Sequence, residues 1–304
     1  MGTSSGDKLR DFLSYAPFAL RDTFVLRRFS RALGDNLMLS MLAREVRRHY
    51  PGKKIVVETN WPELFLHNPH VDLALRHKVA WAHCKPTYRI EEGHPEHVLD
   101  QLAGSLSLPI PSWERRLDFY PSGEELRTVS ARLPSDYLVV CPEGKREFAS
   151  NRKEWGLACF QELVDSMPGR RFVQIGVAAH GLLRGAVDFR GRTIRECAAA
   201  IRLAKAAVLL EGGLMHICHA VRTPAVILFG GYVRPEVVGY PELLSVASAP
   251  SCSPCCRSHA KQGDCADHVC MEAIAPSAVR AFLEEEAFRR GGTVIVAATA
   301  GRPW

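Results

Sequence analysis

Long apolar runs are missing from this sequence of 304 residues. No window approaches the roughly 20 consecutive apolar residues that cross a bilayer. The N-terminal residues also lack a basic start followed by a continuous apolar core, so a secretory signal is not indicated. We therefore expect a cytoplasmic protein with at most peripheral membrane association.

Two further patterns are missing. No internal repeat with a period of about 20 to 50 residues is evident, which excludes solenoid proteins. Neither half of the chain carries Gly-x-Gly-x-x-Gly at its first strand turn, and this absence disfavours a nicotinamide dehydrogenase.

The composition is that of an ordinary folded protein, with 47% hydrophobic and 24% charged residues. The length suits two moderate domains. The net charge of +6 is spread along the chain. A diffuse positive surplus suits anionic ligands such as nucleotides, although a solvated basic face explains it equally well.

Apolar runs alternate with segments of helical spacing in both halves of the chain. The first half gives a strand near Phe24, a turn at Gly34-Asp35, a helix, and a second strand in KKIVVET. The second half restarts this rhythm at YLVVCPEG and continues to a helix from Pro276. The pattern predicts the α/β class with two doubly wound domains facing across a cleft, residues 1–133 and 134–304.

A glycine pair, Gly212-Gly213, follows one of the predicted strands and opens a predicted helix. Ligands of open parallel sheets sit at such places, where the free N–H groups of a helix N-terminus attract phosphate. The pair is therefore a candidate seat for a diphosphate, and close packing of the helix against the sheet is the alternative interpretation.

Five of the ten cysteines crowd into the loop of residues 252–270. Cys252, Cys255, Cys265 and Cys270 have the spacing of a structural zinc or iron site; free thiols and disulfides are the alternatives. A non-enzymatic binding protein that carries such a metal finger is therefore an alternative function. The loop offers only Arg257 and Lys261 as full cations and no aromatic residue, so nucleic acid is not an expected partner.

Four motifs in this order resemble the family 9 glycosyltransferases, the bacterial heptosyltransferases. They are ALGDNLML, NRKEW, LLEGGLMHICHAVRTPAVILFG, and CSPCC with CMEAI. The resemblance extends from about Phe24 to Leu283. It implies the GT-B architecture of two Rossmann-like domains, with the acceptor in the N-terminal domain and an ADP-heptose donor in the C-terminal one. It also implies transfer of the sugar with inversion.

The resemblance assigns roles to particular residues. Asp35 corresponds to the general base, and a helix cap is its alternative interpretation. Lys153 corresponds to a lysine that contacts the donor phosphates. The other expected donor-site residues come from the same two motifs and the adjacent loop: Gly144, Lys145, Glu211, Gly212, Gly213, Leu214 and His216.

The absence of an Asp-x-Asp pair from any suitable loop predicts that protein cations, and no catalytic metal, neutralise the donor diphosphate. Two departures from the family pattern fall at the donor site. Glu211-Gly212-Gly213 stands where relatives have Asp-Thr-Gly or Asp-Ser-Gly, and the loop of residues 175–181 lacks the acidic residue often used for the ribose.

These departures leave several alternatives open. The donor is ADP-heptose or another NDP-sugar, and the acceptor is a lipopolysaccharide core, a protein or a secondary metabolite. The alternative function is that of a non-catalytic scaffold of the same fold, which has lost donor binding. Each of these functions is compatible with an oligomer.

Overall fold

The computed structural model describes residues 5–19, 22–90, 96–144, 146–147, 149–256 and 263–297. The chain divides into two compact units. Unit 1 comprises Met1–Arg89 and Val98–Ser122, and unit 2 comprises Ile90–His97 and Gly123–Trp304. None of the helices within the described ranges combines the length and apolar character needed to cross a membrane.

Unit 1 is built around a small parallel sheet with the strand order β1-β2-β3. Its helices and strands are α1 (Ser5–Ala19), β1 (Thr23–Arg27), α2 (Leu33–His49), β2 (Lys54–Glu58), β3 (Leu73–Leu75) and α3 (Val98–Gly104). The apolar centres of β1 and β2 are buried, as the predicted strand–helix–strand unit requires.

The first turn of α2 is anchored by Asn36, whose side chain is fully buried. Its Nδ2 donates to the carbonyl oxygen of Ala32 at 2.7 Å, and its Oδ1 accepts from the Thr59 hydroxyl at 2.7 Å. The helix begins at Leu33, so Gly34 and Asp35 lie inside its first turn and not in a preceding loop. These bonds join the start of α2 to the residues that follow β2.

Unit 2 contains a larger parallel sheet with the order β10-β9-β8-β7-β4-β5-β6. Its helices and strands are α4 (Gly123–Ser130), β4 (Tyr137–Cys141), α5 (Leu157–Asp165), β5 (Arg171–Gln174), β6 (Ala186–Asp188), α6 (Ile194–Leu203), β7 (Ala206–Leu210), α7 (Gly213–Val221), β8 (Ala225–Phe229), α8 (Pro235–Val238), β9 (Leu244–Ser248), α9 (Val269–Glu272), α10 (Pro276–Glu284) and β10 (Gly292–Val296).

The central strands of this sheet are buried along their whole length, which explains why they read as short continuous apolar runs. After β6 the chain crosses to the other side of β4 to form β7, so the direction of winding reverses between β4 and β7. In open α/β sheets such a switch point leaves a crevice at the carboxyl ends of the two strands.

Two features lie at the ends of unit 2. Helix α4 belongs to this unit, where Arg195 Nη2 of α6 donates to Glu125 Oε2 at 2.7 Å. Residues after the last predicted helix form β10, which pairs in parallel with β9. The α/β class with parallel sheets is confirmed.

Candidate functional site

The carboxyl ends of β4 and β7 meet at the switch point of the unit 2 sheet. Gly144 follows β4, and a Cβ atom placed on it would lie 3.8 Å from Cδ1 of Leu210, the last residue of β7. Glu211, Gly212 and Gly213 follow that residue directly. The structure therefore brings the two predicted glycine positions to the same edge of the sheet.

Gly212 makes the turn from β7 into α7. Its φ of 149° and ψ of −158° lie in a region that residues with a Cβ rarely adopt. Apart from its two chain neighbours, no described residue has a heavy atom within 4 Å of a Cβ placed there. The first N–H groups of a helix have no partner within the helix, so those of α7 are candidates for binding an anion.

Lys153 lies beside this helix N-terminus. Its Nζ is 2.6 Å from Oε2 of Glu211, and the two side chains are 22% and 7% exposed. The same ammonium lies 4.5 Å from the centroid of the Tyr232 ring, a cation–π contact. Glu211 therefore holds the cation of NRKEW against the start of α7, and the aromatic ring covers it.

His216 lies in α7 and is buried. Its Nδ1 is 2.6 Å from the Tyr240 hydroxyl oxygen, whereas its Nε2 makes no hydrogen bond within the described residues. Burial, followed by the positive charges of His219, Lys153 and His97, lowers the pKa of His216 to about 3. The imidazole is therefore neutral at physiological pH, and Lys153 is near enough to act on it.

Tyr240 contacts three histidines of unit 2, namely His97, His216 and His219. The His219 ring stacks on it with centroids 3.6 Å apart and an interplanar angle of 8°. The His97 ring meets it edge-on at 6.0 Å, and His97 Nε2 lies 2.7 Å from the carbonyl oxygen of Gly239. Burial raises the pKa of Tyr240 far above its ordinary value, so its hydroxyl remains protonated.

A carboxylate from the loop after β4 reaches the loop after β5. Glu143 Oε1 accepts from the backbone N–H of Gly181 at 2.9 Å, and its Oε2 lies 3.9 Å from Nε2 of His180. The loop of residues 175–181 thus has an acidic neighbour, although its own sequence contains none.

The remaining expected donor-site residues are placed as follows. Leu214 is half-buried in the first turn of α7. Lys145 lies outside the described residues, as do Arg257, His259 and Lys261 of the Cys-rich loop. Sequence reasoning missed Tyr232 and Tyr240, which follow β8 and precede β9. The sole available signal was that both are aromatic residues near the ends of buried strands.

Asp35 belongs to unit 1. The N-cap of α2 is Ala32, so Asp35 occupies the first helical turn and does not hold the capping position. Its Oδ1 accepts from the Tyr88 hydroxyl at 2.8 Å, and the Tyr88 ring packs edge-on against Phe29 with centroids 5.3 Å apart. The carboxylate is half-buried and oriented by a tyrosine that the sequence did not single out.

All ten cysteines are free thiols, and the four expected metal ligands span the range of burial. Cys252 is exposed, Cys255 and Cys265 are half-buried, and Cys270 is buried. Within the described part of the chain, no three His, Cys, Asp or Glu side chains are arranged to hold a metal ion.

The four thiols are nevertheless neighbours. Burial raises the pKa of Cys270, and the nearby thiols of Cys255, Cys265 and Cys252 raise it further. The pKa of Cys255 is also raised by burial, and Cys265 and Cys252 add to the shift, whereas Arg152 opposes it. Thiolates are the ligands that zinc and iron prefer, so the chemistry of these side chains, although not their arrangement in the described part of the chain, suits such a metal.

Comparison with known proteins bears on the fold. No protein-family model and no curated protein matches the chain. Among solved structures, ADP-heptose lipopolysaccharide heptosyltransferase II of E. coli is similar, with a TM-score of 0.64 and 16% identity. The alignment covers 86% of this chain and 98% of that one.

Two other structures are equally similar. A family 9 glycosyl transferase of Veillonella parvula aligns with a TM-score of 0.65 and 15% identity over 88% of this chain and 97% of its own. TibC of enterotoxigenic E. coli, an iron-containing dodecameric glycosyltransferase, aligns at 0.65 and 18% over 88% and 76%. The resemblance drawn from the sequence motifs is confirmed by these matches, because the chain has the fold of heptosyltransferases and of a family 9 glycosyltransferase.

Proposed function

We propose that the protein is an inverting glycosyltransferase that moves a sugar from an NDP-sugar to an acceptor hydroxyl. The observation that carries this proposal is the meeting of Lys153, Glu211, Gly212 and His216 at the switch point of the unit 2 sheet. The resemblance favours heptose as the sugar and ADP as the nucleotide, and one similar structure is named for its ADP-heptose substrate.

The donor diphosphate binds at the N-terminus of α7 in this proposal. The free N–H groups around Gly213 and the helix dipole attract its negative charge. Lys153 exchanges part of its contact with Glu211 for a phosphate oxygen. Because a fixed ammonium already stands at the site, no divalent cation is needed to neutralise the leaving group.

His216 contributes a neutral hydrogen-bond donor. A protonated Tyr240 donates to Nδ1, so the single proton of the neutral imidazole resides on Nε2. That Nε2–H is the group left for a diphosphate oxygen. Glu143 supplies a carboxylate beside the loop after β5, in the role that the missing acidic residue plays for the donor ribose.

Asp35 is the proposed general base, and unit 1 is the proposed acceptor-binding domain. Its carboxylate removes the proton of the acceptor hydroxyl while that oxygen bonds to the anomeric carbon of the sugar. The bond between the anomeric carbon and the diphosphate oxygen breaks, and its electron pair leaves with the nucleoside diphosphate. Attack from the opposite face inverts the anomeric centre.

The Cys-rich loop is proposed to hold a structural zinc or iron ion through Cys252, Cys255, Cys265 and Cys270. A four-thiolate ion cross-links a loop and leaves no position for substrate, so its chemical contribution is stability alone. We place the whole protein in the cytoplasm.

Isothermal titration with ADP, UDP, GDP and ADP-heptose tests the donor assignment. We expect ADP to bind in the micromolar range, and its binding not to require Mg²⁺. Light scattering on the same sample gives the assembly state. If no nucleotide binds, the chain is a scaffold and the transferase proposal fails.

Asp35→Asn separates binding from chemistry. The variant should bind ADP as the wild type does, because Asp35 is assigned to the acceptor and not to the donor. Slow release of ADP from ADP-heptose, followed by chromatography, should fall by about 10²-fold or more, the usual contribution of a general base. Unchanged release would remove Asp35 from this role.

A further inference from the structure

Helix α1 is fixed on unit 1 through one of its sides. Tyr15 and Phe18 are half-buried and pack against the buried apolar residues of the unit 1 sheet. Asp11 Oδ2 accepts from the backbone N–H of His77 at 2.8 Å and lies 2.8 Å from Nδ1 of the same residue. Asp11, Tyr15 and Phe18 share one side of the helix by their spacing, so this side sets the position of α1.

The opposite side of α1 is apolar and faces solvent. Leu9, Phe12 and Leu13 are 59%, 53% and 62% exposed. At about 3.6 residues per turn they form one stripe, across the helix from Tyr15. We call these three residues the apolar stripe. A surface helix normally presents polar side chains to water, so the apolar stripe marks a face that binds a partner.

A cleft of about 670 Å³ lies between α1 and the residues that follow β3. On α1 its lining includes Lys8, Leu9 and Phe12, and on the other side it includes Lys78 and Trp81. Trp81 is 96% exposed, so its indole projects into solvent. An indole ring combines an apolar body with a polar N–H group and is favoured where an apolar phase meets water.

The charged side chains that line the cleft are cations. They are Lys8, Lys78 and Arg27, and no carboxylate of the described residues joins them. Arg27 is paired with the buried Glu58 and donates to the carbonyl oxygen of Ala80 at 2.7 Å, so its charge is compensated. Lys8 and Lys78, here called the lysine pair, are exposed and form no ion pair within the described residues. Two uncompensated positive charges therefore accompany the apolar stripe.

The charge and the size of this face favour a membrane over a protein partner. In a two-fold contact between copies of the chain the same patch meets itself, so the lysine pair would face its own equivalent. The apolar stripe and Trp81 offer on the order of a few hundred Å², below the roughly 800 Å² per partner of a standard protein interface. The exposed acid of α1, Asp7, lies one turn before Asp11 and thus on the side away from the apolar stripe.

We propose that α1 and Trp81 form a docking surface for membranes that carry anionic lipids. The apolar stripe and the Trp81 indole enter the boundary between headgroups and acyl chains, and the lysine pair contacts the headgroup phosphates. Because Asp11 already fixes α1 on unit 1, the helix docks as a formed element and loses little conformational entropy. The inference goes beyond the proposed function, since it uses neither the donor site nor Asp35.

Sedimentation with lipid vesicles tests the proposal on the full chain. One set of vesicles is pure phosphatidylcholine, and the other contains equal parts of phosphatidylcholine and the anionic phosphatidylglycerol. The variants are Leu9→Ser and the double variant Lys8→Ala with Lys78→Ala. Leu66→Ser is the matched control for Leu9→Ser, because Leu66 is 50% exposed in unit 1 but does not line the cleft. All these positions are exposed, so urea unfolding should be unaltered.

We expect the wild type to bind the anionic vesicles at least about tenfold more tightly than the neutral ones, and to lose this preference at high salt. The double lysine variant should bind the anionic vesicles roughly 30-fold more weakly, because each lysine near a charged surface contributes about fivefold. Leu9→Ser should weaken binding about tenfold through lost apolar burial. Leu66→Ser should bind as the wild type does.

Tryptophan emission reports whether Trp81 itself enters the lipid. The wild-type emission should shift to shorter wavelength when anionic vesicles are added. In Trp81→Phe the shift should disappear although the variant still sediments with the vesicles, because the phenyl ring keeps much of the apolar contact.

Four results would overturn the inference. They are equal binding to both kinds of vesicle, wild-type binding by Leu9→Ser or by the double lysine variant, an emission shift that persists in Trp81→Phe, and a wild type that binds neither vesicle. In the last case sedimentation velocity identifies a second copy as the occupant if the chain is a dimer that Leu9→Ser dissociates. Vesicle binding needs no nucleotide, so failure of the proposed transferase function leaves the result readable.

Discussion

Replacement of Lys153 by alanine should weaken donor binding. A hydrogen bond to a charged group contributes about 1.5–3 kcal/mol. Loss of the ammonium should therefore weaken ADP binding by roughly 10- to 100-fold. The lower end is the better expectation, because the diphosphate competes with Glu211 for the same ammonium, at 2.6 Å in the structure.

The same replacement should destabilise unit 2. Removal of one partner from a fully buried ion pair costs about 3–5 kcal/mol. Glu211 is only 7% exposed but Lys153 is 22% exposed. Solvent already screens the pair in part, so we expect a loss of about 1–2 kcal/mol in the free energy of unfolding.

Lys153→Ala combined with Glu211→Gln distinguishes the two effects. Glutamine removes the unpaired charge, so urea unfolding of the double variant should return towards the wild-type free energy. ADP affinity, measured by titration calorimetry at a temperature where both variants are folded, should stay low. Recovery of ADP binding in the double variant would refute the reasoning, because the lysine would then have acted through stability alone.

Three further predictions concern unit 2. Because the pKa of His216 is lowered to about 3, the unfolded chain binds more protons than the folded one below about pH 6.5. The free energy of unfolding should therefore fall as the pH drops from 6.5 towards 3. Urea unfolding of His216→Asn should show a shallower fall over the same pH range. Tyr240→Phe should weaken ADP binding about tenfold in titration calorimetry. Heteronuclear NMR of the same variant should show a changed tautomer at His216. An unchanged tautomer would contradict the assigned hydrogen bond between Tyr240 and His216. Gly230→Ala should lower the melting temperature by several degrees, since its Cβ has no room beside the Arg152 carbonyl oxygen; an unaltered melting temperature would mean that the backbones separate without cost.

The sheet of unit 2 was largely predictable because its central strands are buried on both faces. Such strands appear as short apolar runs between helical segments, as in YLVVC before the NRKEW motif. The edge strand β6 has exposed residues at Val187 and Asp188, so burial leaves no apolar run to detect. Helix α1 was missed for the same reason, since it has no buried residue.

The candidate site was predictable where its residues directly follow a strand. Gly212 and His216 belong to one strand–turn–helix unit, so their proximity follows from local geometry. Tyr240 reaches His216 only because β8 and β9 lie in the correct order in the sheet. The hydrogen bonds between Asn151 and Cys265 join residues far apart in sequence, and no local pattern encodes such a pairing.

Two adjacent polar residues in the first turn of α2 differ in burial. Asn36 is fully buried and bonded on both sides of its amide, whereas Asp35 is half-buried beside Tyr88. In a saturation mutagenesis experiment these neighbours should fail for different reasons. Substitutions at Asn36 should reduce the amount of soluble protein in the cell, and those at Asp35 should yield abundant protein that lacks activity.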